Sequence, residues 1–271
     1  MTITVNPDSC TKCGVCSTVC PVSIISPATD EDLPFIPVEK ISSCISCGHC
    51  EAFCQAGALI QAQQSKTASK AWKGTDFSSD LLGTYLKSRR STRHFKEEPV
   101  SRETITAILD IARYAASGSN RQPVEWLVTR DPNEVQAVGS LTIEWMRSLR
   151  GTNHPLSSYV SSLITAWDAG VDVICHNAPH LLIPHIPIEN PVARTDAIIA
   201  LTHADITAPV FGLGTCWAGF AAMASQDYVP LLKLFDLPVG RVPAYVMMFG
   251  YPKYKPAFIP SRKPLTITWH E

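Results

Sequence analysis

The spacing of apolar and polar residues predicts helices in the C-terminal two thirds of the chain. Apolar residues recur three and four positions apart over 81–90, 101–117 and 133–149, which is typical of amphipathic helices. Residues 193–211 form a longer, mostly apolar stretch that predicts a central helix. Ser101 precedes its helix and is expected to act as the N-cap.

Strands are predicted between these helices. Residues 124–129 and 242–251 are rich in apolar and aromatic residues and predict strands. The stretch 180–187, HLLIPHIP, contains Pro184 and Pro187, which predicts an edge strand or a broken one. Helices and strands mix without a regular βαβ alternation, so we expect an α+β fold.

The N-terminal part of the chain has a different pattern. Short strands are predicted at 2–5, 35–38 and 58–61, and eight of the ten cysteines fall within the first 54 residues. Small and polar residues dominate positions 62–79 and predict a linker. We therefore expect two domains and a connector, with the boundaries 1–61, 62–79 and 80–271.

Composition and charge narrow the function classes. The formal net charge of −1 argues against electrostatic binding of nucleic acid. The first ten residues lack the basic and apolar regions of a signal peptide, and no apolar run is long enough to span a bilayer. We expect a cytoplasmic protein without membrane contact, in which closely spaced cysteines bind metal rather than form disulfides.

The cysteines form two copies of one spacing. The first copy is Cys10, Cys13, Cys16 and Cys20, and the second is Cys44, Cys47, Cys50 and Cys54. This C-x₂-C-x₂-C-x₃-C run is the bacterial ferredoxin signature, in which the fourth cysteine binds the other cluster. One [4Fe–4S] site is therefore predicted from Cys10, Cys13, Cys16 and Cys54, and the other from Cys44, Cys47, Cys50 and Cys20.

Glycines and an alternative metal also bear on this region. Gly14 and Gly48 lie where a close backbone turn without a Cβ is most useful, and the fourth cysteine of each run is expected to open a short helix. The alternative is a pair of zinc sites, but zinc sites usually pair two C-x₂-C units across a longer gap. Residues 1–60 resemble the two-cluster bacterial ferredoxins.

Four further segments have residues suited to a ligand. RRSTR (89–93) combines arginines and hydroxyls that suit a phosphate, although a solvated helix end is also compatible with it. SGSNRQP (117–123) has amide side chains suited to the edge of a heterocycle, or is an ordinary loop. GLGTCWAGF (212–220) permits close backbone approach, and PSRKP (260–264) has two cations between prolines.

Taken in order, these segments resemble the FMN-dependent nitroreductase family over about residues 79–271. The resemblance implies that FMN lies at the interface of a homodimer, to which the tail 265–269 contributes. It implies that the backbone of Ala218 and Gly219 faces flavin N5 and O4. The remaining implied FMN-binding residues are Arg89, Arg90, Ser91, Arg93, Ser117, Gly118, Ser119, Asn120, Gln122, Arg262 and Lys263.

Together the two resemblances imply an oxygen-sensitive oxidoreductase. Electrons from a low-potential donor, such as a ferredoxin or flavodoxin, would pass through two [4Fe–4S] clusters to FMN and then to a small acceptor. The acceptor would be a nitroaromatic, a quinone or an enone, and no side chain is assigned a catalytic role. Two alternatives stay open, namely an electron-transfer module that serves protein partners and a redox sensor. Cys175 and Cys216 are expected to be buried, and the histidines of 176–185 are not expected to bind metal.

Overall fold

The structure is a computed structural model that describes residues 3–61, 78–190 and 192–270. The chain divides into two compact units, and the short segment Ser117–Arg121 groups with the N-terminal one. Unit one comprises Met1–Thr75 and Ser117–Arg121, and unit two comprises Asp76–Ala116 and Gln122–Glu271. The predicted linker at 62–79 lies outside the described residues except for its last two positions, so the domain boundaries stay predictions.

The first unit contains a small antiparallel sheet. Strand β1 (Ile3–Val5) pairs with β2 (Leu59–Gln61), in agreement with two of the predicted strands. The predicted strand at 35–38 is wrong. Phe35 makes one isolated bridge to Ser26, and a 3₁₀ helix begins at Val38. Prolines lie close to Phe35 on both sides in the sequence, and neither has an amide to donate to a strand ladder.

Each cysteine repeat contains one short helix. Helix α1 (Val15–Thr18) follows Gly14, and α2 (His49–Ala52) follows Gly48. The two glycines have φ of 76° and 74°, so the predicted need for glycine at both turns is confirmed. The fourth cysteine of each run comes after its helix, so the prediction that it opens the helix is wrong. In each run the helix begins directly after the glycine turn and therefore lies before the fourth cysteine.

The second unit combines helices with one sheet. Its helices are α3 (Ser79–Ser88), α4 (Arg102–Ala112), α5 (Pro132–Ser148), α6 (Val160–Asp168), α7 (Ala193–Thr207), α8 (Gly219–Ala224) and α9 (Val229–Phe235). Its strands are β3 (Glu125–Thr129), β4 (His180–Pro187), β5 (Gly214–Trp217), β6 (Arg241–Pro243) and β7 (Met247–Gly250).

The helix predictions hold with shorter ends. Ser101 caps α4 by accepting a hydrogen bond from the amide of Thr104 at 3.1 Å, as predicted. The α4 helix ends at Ala112 rather than at residue 117. The α7 helix ends at Thr207 and continues as a 3₁₀ turn over Ala208–Phe211, which contains a proline near its start. In the described ranges, no helix is both long and apolar enough to cross a membrane.

Strand β4 lies inside the sheet and runs as one strand over His180–Pro187, so the prediction of an edge strand or a broken strand is wrong. The sheet order is β3-β4-β7-β5, with β6 also paired to β4, and all of these pairs are antiparallel. Pro184 sits where the neighbour of β4 changes from β7 to β6, and its carbonyl accepts from the Ala244 amide at 2.8 Å. A proline is tolerated there because the ladder is interrupted at that point. The same interruption divides the predicted strand 242–251 into β6 and β7.

Helices cover both faces of this sheet, which confirms the α+β class. Leu181 and Ile183 of β4 pack into a core formed with α5, α6, α8 and α9. Leu182, on the opposite face, packs with α4 and α7. Burial on both faces explains why β4 is apolar without alternation.

Candidate cofactor sites

The eight N-terminal cysteines line two separate cavities in the first unit. Cys10, Cys13, Cys16 and Cys54 line one cavity. Cys20, Cys44, Cys47 and Cys50 line the other. Each cavity thus has three cysteines of one repeat and the fourth cysteine of the other, which is the crossed arrangement that the spacing predicts.

The thiols of each group interact with one another. Burial raises the pKa of Cys50 to about 11, and the nearby thiols of Cys47, Cys44 and Cys20 contribute to that rise. The thiol of Cys20 therefore raises the pKa of Cys50, as do the thiols of Cys44 and Cys47, which belong to the same repeat as Cys50. A bound metal centre would instead lower the pKa of these cysteines, because its positive charge stabilises thiolates. Backbone donors are also present, since the Ala58 amide donates to Cys54 Sγ at 3.3 Å.

Each cavity is lined by four cysteines, which is the number of thiolates that one [4Fe–4S] cluster takes. Zinc also accepts four cysteines, at Zn–S distances of about 2.3 Å. Within the part of the chain that the structure describes, no group of three His, Cys, Asp or Glu side chains is placed to hold a single metal ion. The preference for a cluster therefore depends on the spacing of the cysteines, which is the ferredoxin signature.

In the second unit, Arg89 and Arg90 follow helix α3 and carry buried nitrogens that lack partners. Arg89 Nη1 and Arg90 Nε are buried, and neither has a hydrogen-bond partner among the described residues. Buried donors are almost always paired in folded proteins. These two nitrogens therefore fit an anionic ligand, and a phosphate accepts from arginine particularly well.

The segment after Arg90 is held against strand β5. Ser91 forms a parallel bridge with Thr215, and the Thr92 amide donates to the Thr215 carbonyl at 2.8 Å. This approach requires Gly214, because a Cβ at that position would lie 2.2 Å from Thr92 Oγ1. The structure thus joins two of the four predicted segments, RRSTR and GLGTCWAGF.

A buried carboxylate, Asp205 on α7, holds Arg89 in place. Asp205 Oδ2 lies 3.7 Å from Arg89 Nε and accepts from Trp217 Nε1 at 3.0 Å. Its other oxygen accepts from the hydroxyl of Thr215. In the sequence, the signal for this role is the place of Asp205 in a mostly apolar helix, where an aspartate is either paired or at the solvated edge of the helix.

The backbone of Ala218 and Gly219 is predicted to face the flavin, and of the two amides that of Gly219 is the better candidate donor. The Ala218 amide donates to the Val246 carbonyl at 2.9 Å and so is already used within the protein. Gly219 is the first residue of α8, where amides have no acceptor within the helix.

The loop predicted to meet the flavin is divided between the units. Ser117, Gly118, Ser119 and Asn120 group with the first unit, whereas Gln122 belongs to the second. The Asn120 side-chain amide donates to the carbonyls of Ser46 at 2.9 Å and Ile45 at 3.2 Å, between two of the cysteines. Ser119 and Asn120 both have φ of 52°, the left-handed region in which asparagine is tolerated. No local pattern in the sequence indicates this contact to the cysteine loop.

The remaining predicted cations lie on the surface. Arg93 is exposed, and Arg262 and Lys263 belong to an exposed C-terminal segment without regular secondary structure. No hydrogen bond or ion pair joins either of the last two to another described residue. The tail at 265–269 is exposed as well, and Trp269 has 78% of its surface accessible.

Other reactive side chains serve the core. Cys175 and Cys216 are buried, as predicted, and burial raises the pKa of both thiols. His180 accepts from the Val100 amide through Nε2 at 2.9 Å, and its Nδ1 lies 3.3 Å from the Thr129 carbonyl. Nothing in these contacts indicates a nucleophile or a metal ligand.

Comparisons with known proteins identify the family of each part of the chain. The nitroreductase family model matches residues 86–251, and a model described as a 4Fe-4S dicluster domain matches residues 9–59. A Methanothermobacter thermautotrophicus protein, provisionally named NADH dehydrogenase/NAD(P)H nitroreductase, is 27% identical over 173 residues, which is 63% of this chain and 77% of that protein.

Solved structures share the fold of the second unit. A nitroreductase with bound FMN from Bacteroides fragilis has a TM-score of 0.57 and 18% identity, covering 70% of this chain and 98% of that one. A nitroreductase with bound FMN from Desulfitobacterium hafniense has a TM-score of 0.55 and 21% identity, covering 69% and 97%. The two resemblances predicted from the sequence are confirmed at the level of family and fold.

Proposed function

The chain belongs to the nitroreductase family and carries a 4Fe-4S dicluster domain, and on this premise we propose that it is an iron–sulfur flavoprotein oxidoreductase. It uses FMN and two [4Fe–4S] clusters, takes electrons from a low-potential donor and reduces a small acceptor. When bound, the clusters supply one-electron transfer, and FMN supplies the conversion between one-electron and two-electron chemistry.

The cysteines are the proposed cluster ligands. Cys10, Cys13, Cys16 and Cys54 hold one cluster, and Cys44, Cys47, Cys50 and Cys20 hold the other. The two cavities with crossed fourth cysteines support this assignment. The chain contributes backbone amides as well as thiolates, and donors to sulfur favour the more negative state of a cluster.

The observation that carries the flavin proposal is the pair of buried nitrogens on Arg89 and Arg90 that have no hydrogen-bond partner within the described ranges. They bind the FMN phosphate, with Ser91 and Arg93 beside it, and Asp205 orients Arg89. Gly219 donates its amide near flavin N5 and O4. We extend the proposal to Ser117, Gly118, Ser119, Asn120, Gln122, Arg262 and Lys263 from the family resemblance.

Donor, acceptor and assembly complete the proposal. The donor is a reduced ferredoxin or flavodoxin, and the acceptor is a nitroaromatic, a quinone or an enone. The names of relatives include NAD(P)H, so NAD(P)H is the competing direct donor. The protein acts in the cytoplasm as a homodimer, in which the exposed tail at 265–269 contacts the partner subunit.

Cofactor content is the first test. The protein is purified without oxygen, and iron, sulfide and FMN are quantified; we expect about eight irons per chain, because two [4Fe–4S] clusters are proposed. Arg89→Ala should lower FMN content and leave iron unchanged. Arg113→Ala is the matched control, since Arg113 is exposed and pairs with nearby Asp110 in α4. Equal FMN content in the two variants would contradict the phosphate assignment.

Turnover is the second test. Reduction of a nitroaromatic is followed with reduced ferredoxin, NADH or NADPH as donor. Turnover with ferredoxin that is lost when iron is removed supports the proposed order of electron transfer. Turnover with NAD(P)H after iron removal would show that the clusters are not required. Reduction of the clusters and FMN without any accepted small molecule would favour the electron-transfer module instead.

A further inference from the structure

Gln61, the last residue of strand β2, is a polar residue inside one of the cysteine cavities. Its side chain is only 3% exposed. Its Nε2 lies 3.9 Å from Cys44 Sγ, within the range of a hydrogen bond to sulfur. Its Oε1 is buried and has no partner among the described residues. A buried, unpaired polar atom costs free energy, and a redox role is one of the accepted reasons for retaining it.

In the cavity of Cys10, the apolar residue Leu59 takes the place that Gln61 has in the cavity of Cys44. In the β1–β2 pair, Ile3 faces Gln61 and Val5 faces Leu59. Ile3 and Gln61 line the cavity of Cys44, whereas Val5 and Leu59 line the cavity of Cys10. Side chains alternate along a strand, so positions 59 and 61 point to the same face. The sheet thus presents matching residue pairs to the two cavities, and one of the four residues is an amide.

The position of Gln61 is fixed by its backbone. Its backbone amide donates to Glu51 Oε2 at 2.9 Å, which ties the end of β2 to helix α2. The side-chain amide of Gln61 is buried, in a place where the effective dielectric constant is low and a hydrogen bond is therefore stronger.

We propose that Gln61 raises the reduction potential of the cluster held by Cys20, Cys44, Cys47 and Cys50. One-electron reduction adds one negative charge to the cluster, and part of that charge lies on the thiolate sulfurs. An N–H donor to Cys44 Sγ stabilises the reduced state more than the oxidised state. The inference rests on the proposed cluster assignment and adds a difference between two sites with identical ligands.

The test is a redox titration of the anaerobic holoprotein, followed by EPR. Gln61→Met keeps the length of the side chain and removes the N–H donor, and Gln61→Leu copies the residue of the other cavity. Ile60→Gln is the control, because Ile60 is on the same strand but 55% exposed. In both Gln61 variants we expect the reduction potential of one cluster to fall by about 59 mV. This shift is about a tenfold change in the equilibrium constant of a one-electron reduction. The other transition and the control should not move.

A second readout identifies the donor directly. Protein labelled with ¹⁵N in its glutamine side chains is reduced and studied by ENDOR, and a nitrogen coupling should be lost in Gln61→Met. Unchanged potentials with both clusters present would overturn the role of Gln61 and leave the proposed function intact. Equal shifts of both transitions would also overturn it. Absence of cubane signals from the wild-type protein would overturn the proposed function itself.

Discussion

Replacing Asp205 with asparagine should weaken FMN binding and leave the iron content unchanged. Asp205 is buried, and it lies 3.7 Å from Arg89 Nε while accepting from Trp217 and Thr215. Asparagine retains one oxygen acceptor but loses the negative charge that attracts the guanidinium. Arg89 would then be free to adopt other rotamers, and its buried Nη1 would no longer be aimed in one direction.

The size of the effect follows from the geometry. Loss of one member of an ion pair costs up to about 1 kcal/mol when the pair is exposed and about 3–5 kcal/mol when it is buried, and about 1.4 kcal/mol corresponds to a tenfold change in affinity. The Arg89 side chain is 27% exposed and the 3.7 Å separation is long, so solvent screens part of the interaction. We therefore expect the lower part of this range, which is about tenfold weaker FMN binding.

The assay is a fluorescence titration of FMN into protein from which the flavin has been removed, with iron quantified in parallel. Asp110→Asn is the matched control, because Asp110 also pairs with an arginine but is exposed on α4. Tighter FMN binding in Asp205→Asn would refute the reasoning, since it would mean that Asp205 mainly repels the phosphate. Loss of iron, or an equal effect in the control, would point to a general structural change.

Three further predictions test the fold and the cluster ligands. Gly214→Ala should lower the free energy of unfolding by about 1–3 kcal/mol through overpacking against Thr92, whereas Gly83→Ala, with open space around it, should not destabilise; thermal denaturation compares the two. Cys20→Ala should remove one cluster and about half of the iron, and EPR that shows both clusters or neither would contradict the assignment of Cys20 as a ligand of one cluster. Burial lowers the pKa of His180, so the unfolded chain binds its proton more readily, and stability should fall as the pH drops below the usual histidine pKa of about 6.5. His180→Gln should reduce that fall in urea denaturation at pH 7.5 and 5.5, and identical pH dependence in the two proteins would contradict this origin.

The cluster sites were the most predictable part of the molecule because their information is local. Each repeat places three cysteines within seven residues, and Gly14 and Gly48 mark the turns between them. The N-cap at Ser101 is equally local, since it depends on one side chain and the amide three residues later. Features that depend on neighbours in sequence alone can be predicted from sequence alone.

Strand β4 shows where local information becomes insufficient. Prolines normally exclude a segment from the centre of a sheet, and 180–187 contains two. The segment is nevertheless central, because Pro184 coincides with the gap between β6 and β7. That coincidence depends on which distant residues lie opposite the proline, and no local pattern contains it.

The buried polar residues of the candidate sites fall between these two cases. The place of Asp205 in an apolar helix is compatible with an ion pair or with the solvated edge of the helix, and the fold selects the pair with Arg89. Gln61 lies two residues after the buried Leu59 and shares its inward-facing side of β2, which is a comparable signal. Arg89 Nη1 and Arg90 Nε are buried and lack hydrogen-bond partners among the described residues, and an anionic ligand that accepts from them would remove the cost of leaving them unpaired. Buried donors of this kind therefore indicate a ligand site that the spacing of residues alone does not reveal.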